Sequence, residues 1–79
     1  MKIGREINVK NVTEFYKSVK NEVVSNDEII LDFSDTVRID SAAAQVIIAA
    51  IKKSAELNKN ISLTGVSPEM GALFKLVNL

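Results

Sequence analysis

The stretch from Ile39 to Leu57 constrains this chain most. An Asp-Ser pair opens it, and from there it runs almost without a polar residue as far as Lys52. At about 100° per residue, Ala43, Ile47, Ala50, Ile51, Ser54 and Leu57 fall on one side of a helix, which is expected to face a core. Ser41, Ala42, Gln45, Ala49, Lys52 and Glu56 fall on the opposite side, with Ile48 on its flank. The first three turns of that outer side carry no charge, although a solvated helix face normally does. Two readings fit. A partner covers this surface, or alanine, the best helix former, simply fills exposed positions there. Ser54, on the inner side, is expected to back-bond to a carbonyl one turn earlier.

Asp40 suits the N-cap, because its carboxylate can accept backbone N–H groups of the first turn that no intrahelical carbonyl reaches. Ser41 is then the first helical residue. The helix dipole and the unpaired N–H groups make that position tolerant of negative charge, so a phosphate on Ser41 would be held rather than expelled. Asp-Ser is equally a good helix start with no further role.

The remaining chain reads as alternating strands and helices. Ile3 to Val9 predicts a short strand with Ile7 and Val9 on one face and Glu6, Asn8 and Lys10 on the other. Asn11 followed by Glu14 resembles a capping box with Asn as the cap. The helix it opens carries Val12, Phe15, Tyr16, Val19 and Val23 inward and Lys17, Lys20, Asn21 and Glu22 outward, until Ser25-Asn26-Asp27 breaks it. Ile29-Ile30-Leu31 with Phe33 is a continuous apolar run between acidic residues, which predicts a strand buried on both faces of a parallel sheet. A loop over Ser34 to Arg38 leads to the long helix. Beyond it, Asn58-Lys59-Asn60 turns into a strand in which Ile61 and Leu63 alternate with Ser62 and Thr64. Gly65 closes that strand, Ser67-Pro68-Glu69 starts a helix, and Met70, Leu73, Phe74 and Val77 line it. The order β-α-β-α-β-α predicts a single small α/β domain over residues 1–79, with right-handed crossovers and helices packed against a mostly parallel sheet.

Composition narrows what such a domain can do. Ten basic and ten acidic residues cancel, and the basic ones are scattered, which argues against a nucleic-acid binder. The chain has no Cys and no His, so Ser-His and Cys-His nucleophile pairs and zinc sites built on those ligands are excluded. Gly4, Gly65 and Gly71 are too far apart for a P-loop or dinucleotide fingerprint. Asp32, Asp35 and Asp40 lie around the C-terminal end of the central strand, where they could coordinate Mg²⁺ or, as is commoner, cap loops and helices. The N-terminus lacks an apolar signal core and no run is long enough to span a bilayer. A non-catalytic binding module without cofactor or metal, in the cytoplasm, is the expectation.

Taken in order, Ile30-Leu31-Asp32-Phe33-Ser34, Arg38-Ile39-Asp40-Ser41-Ala42, Thr64-Gly65-Val66-Ser67-Pro68-Glu69 and Leu76-Val77-Asn78-Leu79 resemble a STAS domain, the fold of the bacterial anti-sigma factor antagonists. The resemblance covers nearly the whole chain, which begins roughly one strand later than a typical member. It implies phosphorylation of the serine after the loop aspartate, here Ser41, by an anti-sigma factor that is itself a serine kinase. The unmodified form would bind that kinase and free the sigma factor, regulating transcription. The phosphorylated form would let go. Ala42, Gln45, Ile48, Ala49 and Lys52 would form the partner surface. Antagonists usually carry Gly-Leu where this chain has Ala43-Ala44, which predicts an altered contact surface beside Ser41. Short STAS proteins associated with chemotaxis, and the cytosolic subunit of a lipid-transporting ABC system that docks on the transporter ATPase, resemble this chain equally and imply a constitutive adaptor. The absent first strand would expose a sheet edge and so allow a homodimer.

Overall fold

Apolar side chains at every second position build the centre of the molecule. The computed structural model describes residues 1–77. In chain order the elements are β1 (Glu6–Ile7), α1 (Val12–Ser25), β2 (Glu28–Asp32), β3 (Arg38–Ile39), α2 (Ser41–Glu56), β4 (Asn60–Thr64) and α3 (Pro68–Val77). β2 pairs in parallel with β4 over five residues, Glu28 opposite Asn60 through to Asp32 opposite Thr64. β1 pairs in parallel with β3, Ile7 opposite Ile39. The opening segment links the two pairs. Asp32 exchanges backbone hydrogen bonds with Met1 and Ile3, while the Arg5 and Ile7 carbonyls accept from Val37 and Asp40. The expected α/β architecture with parallel pairing is therefore present, with one more strand, β3, inside what reads as a loop followed directly by a helix.

Burial along β2 alternates. Ile29 and Leu31 are inside with Phe33 just beyond, whereas Ile30 is 55% exposed. The expectation that this run is buried on both faces is corrected by the layering. α1 and α2 cover one face of the β2–β4 sheet, because the two parallel connections return across the same side, and α3 packs against α2. Ile30 and its register partner Ser62 are left on the open face. Phe33 meets Phe74 of α3 edge to face, with ring centroids 6.1 Å apart. Ile47 and Val19 bring α2 and α1 into the same core.

Two local expectations also give way. Val9 does not continue the Ile7 face but sits in a turn, 67% exposed, because the chain reverses direction at Asn8 to enter α1. Asn11 does precede α1, yet its side chain does not cap that helix. It reaches backward instead, accepting from the Asn8 N–H at 2.9 Å and donating to the Glu6 carbonyl at 2.9 Å. A tight Asx-type turn has outcompeted the capping box for the same amide. At the other end of the chain, Ser67 caps α3 as expected, its hydroxyl accepting from the Met70 N–H. Gly65 has φ +68°, and a Cβ there would lie 2.6 Å from the Ser34 backbone nitrogen. Only glycine fits this crossing of β4 and the Ser34 loop. Asn78 and Leu79, the end of the last motif, lie outside the described residues.

Candidate functional site

The site is built where β3 ends and α2 begins. Asp40 has extended backbone geometry, as an N-cap requires, and its Oδ1 accepts from the Ala43 N–H at 2.8 Å. Its second oxygen, Oδ2, accepts from the Val9 N–H at 3.1 Å, thirty-one positions away in sequence. One carboxylate thus caps α2 and ties the β1–α1 turn to it. That turn is stiffened in its own right. Asn8 accepts from the Lys10 N–H through its side chain and from the Asn11 and Val12 N–H groups through its carbonyl. On the other flank, the Ser34–Val37 loop is stitched to the opening segment. The buried Thr36 hydroxyl donates to the Gly4 carbonyl at 2.8 Å, and the Val37 N–H donates to Arg5. Ser41 stands on a hydrogen-bonded platform made by three chain segments.

Ser41 is the first residue of α2 and is exposed. The cap is made by Asp40, so the Ser41 hydroxyl is not needed to hold the helix start. Along the outer side of α2, Gln45, Ala49 and Lys52 are exposed, while Ala42 and Ile48 are half-buried, Ile48 packing against the core. The surface read from the sequence is thus presented as a strip of three exposed residues with two partly covered ones on its border. On the inner side, Ala43, Ile47, Ala50 and Ser54 are buried as expected, and Ser54 donates to the Ile51 carbonyl at 2.7 Å. Leu57 is not on the core side but 53% exposed, because α2 ends at Glu56 and the chain turns away.

Ala43 and Ala44 are both 0% exposed. The difference from the antagonists' usual Gly-Leu therefore lies in the interior packing beneath the helix start, and the expectation that it changes the contact surface beside Ser41 is corrected.

The three carboxylates near the end of β2 do not converge as a metal site. Asp32 Oδ1 accepts from the Ser34 N–H at 2.9 Å, Asp35 pairs with Lys2 at 3.3 Å, and Asp40 holds its two amides. The Ser34 backbone N–H, then the Ser34 hydroxyl, hold the Asp32 carboxyl below its ordinary value, with Lys2 adding a smaller effect. Among the described residues no cluster of three or more acidic side chains could grip a metal ion, and no helix is long and apolar enough to cross a membrane.

A comparison with protein-family models matches the STAS domain over residues 1–79, the whole chain. The chain belongs to that family, whose members are regulatory and binding modules. No curated protein matches it.

Proposed function

We propose that this STAS domain is a regulatory binding module of the anti-sigma factor antagonist kind, which holds its partner through the start of α2 and releases it when Ser41 is phosphorylated. One observation carries the reading. Asp40 makes the α2 cap alone, leaving the exposed Ser41 hydroxyl on the first helical residue beside Ala42, Gln45 and Ala49, an uncharged stretch of the outer strip whose first cation, Lys52, lies about three turns further on.

The physical consequences fit a switch. A phosphate brings about −1.5 to −2 charges. At the helix start it meets the positive end of the dipole, which is worth roughly 0.3–1 kcal/mol and keeps the domain folded. Inside an interface formed on the uncharged stretch beside Ser41, the same charge would have to be stripped of water with no cation of this strip nearer than Lys52, which costs several kcal/mol. The fold would stay intact while the complex comes apart. Asp40, already committed to two amides, adds its own negative charge beside the phosphate and sharpens that loss.

The partner on this reading is a serine-kinase anti-sigma factor. Capture from native lysate with wild type, Ser41→Ala and Ser41→Asp as baits tests it. A serine kinase held by wild type and by Ser41→Ala but lost by Ser41→Asp is the expected result. A transporter ATPase or chemotaxis protein held equally by all three would refute the switch and make the domain a constitutive subunit.

A further inference from the structure

A second surface runs between α1 and α2 and meets the Ser41 strip at Ala49. Both helices leave the ends of paired parallel strands, so they run side by side in the same direction. Two hollows lie along the trough between them and share Tyr16. One cavity of about 330 Å³ is walled by Val12, Tyr16, Val46 and Ala49. Tyr16 also closes a second, of about 220 Å³, formed by Val23, Val24, Ala50, Lys20, Lys53 and Leu57. The wall residues recur every three or four positions on each helix, so the trough presents two parallel ridges over about three turns, roughly 18 Å at 1.5 Å per residue.

Its far end is apolar and uncovered, with Val24 81% exposed and Leu57 53% exposed. The charged wall residues are both cations. Lys20 and Lys53 line the trough and no carboxylate does. Lys20 rests its ammonium 5.6 Å from the Tyr16 ring centre, and Lys53 makes an exposed contact with Glu56 at 3.7 Å, a pairing weak enough to exchange. A second copy seated here on a two-fold axis would put four lysines into one interface with no wall carboxylate to meet them, so the charge pattern disfavours self-association through this face.

We propose that the α1–α2 trough docks an amphipathic helix of a partner protein, about three turns long, whose apolar stripe fills the ridges and whose Asp or Glu residues meet Lys20 and Lys53. This is the helix-in-groove mode of recognition. It goes beyond the Ser41 reading: the near end of the trough shares Ala49 with the Ser41 strip, but its far end at Leu57 lies about 24 Å along α2 from Ser41 by helical rise, so changes at Lys20, Val24 and Lys53 separate the two surfaces.

The test uses the full chain, ¹⁵N-labelled, titrated with two synthetic 14-residue helical peptides that share one leucine stripe, flanked by glutamates in one and by lysines in the other. The expected result is binding of the glutamate peptide at least tenfold tighter than the lysine peptide, with amide shifts centred on Tyr16, Val23, Val24 and Leu57. Val24→Glu should weaken that binding tenfold or more. Lys20→Glu with Lys53→Glu should reverse the preference, and Ser41→Asp should leave it unchanged. Both mutated surfaces are exposed, and the unperturbed remainder of each spectrum reports that the variant folds. Equal affinity for the two peptides, shifts confined to another surface, or no binding at millimolar peptide would overturn the proposal. Two further results would overturn it in favour of another occupant: a concentration-dependent dimer abolished by Val24→Glu, or peptide-independent co-sedimentation with phosphatidylglycerol vesicles abolished by the same change.

Discussion

Asp40→Ala removes two hydrogen bonds that belong to different parts of the fold. Loss of the contact from the Ala43 N–H removes the α2 N-cap, which costs about 1 kcal/mol. The contact from the Val9 N–H lies at the surface, so water replaces part of it and its loss costs about 0.5–1 kcal/mol. Together the change is worth about 1.5–2 kcal/mol. At about 4–8 °C per kcal/mol for a domain of this size, the melting temperature should fall by roughly 6–16 °C. A chain of 79 residues with a stability near 4–12 kcal/mol remains folded. Asp40→Asn separates the two contributions. Asparagine caps as well as aspartate but offers one acceptor oxygen, so it keeps Ala43 and gives up Val9, and should lose about half as much. Urea denaturation measures the totals, and amide hydrogen exchange at Val9 and Ala43 assigns them. A loss under 0.5 kcal/mol for alanine, or faster exchange at Ala43 without any change at Val9, would refute the two-sided clamp.

Other consequences follow from the same geometry. Gly65→Ala places a Cβ 2.6 Å from the Ser34 backbone nitrogen at φ +68° and should cost about 3 kcal/mol or more, whereas Gly4→Ala, with nothing within 4 Å of the new carbon, should change the urea midpoint little. Ser41→Asp should leave stability within about 0.5 kcal/mol of wild type, because the helix dipole offsets the nearby Asp40 charge; a larger loss by calorimetry would mean that the platform itself responds to charge. Asp32, whose carboxyl is held below 3.8, contributes stability that is fully present above that value and lost as pH falls through the lowered one. The melting-temperature gap between wild type and Asp32→Asn should therefore be constant from pH 7 to pH 5 and close in more acidic solution; a gap independent of pH down to 2 would contradict this.

Much of the site was legible in the order of residues. The Asp40 cap, the exposed Ser41, the buried stripe of Ala43, Ile47, Ala50 and Ser54 and the Ser67 cap all follow from local rules of helix chemistry, which act within one turn and are visible in sequence. Other features depend on contacts that the residue pattern does not record. Ile30 looked buried because an apolar run does not say whether helices cover one face of a sheet or both. Val9 looked like the next step of a strand because alternation cannot see the turn that a later residue, Asn11, holds by reaching back to Asn8 and Glu6. The Val9–Asp40 contact joins residues thirty-one positions apart and leaves no local trace. β3 is two residues long, too short for any period to register.

The most direct measurement is the affinity of the captured partner for the chain carrying phosphoserine at position 41 against the unmodified chain, by calorimetry at one salt concentration. The expected result is a loss of about fiftyfold or more with an unchanged melting temperature of the free domain; equal affinities for the two forms would contradict the switch.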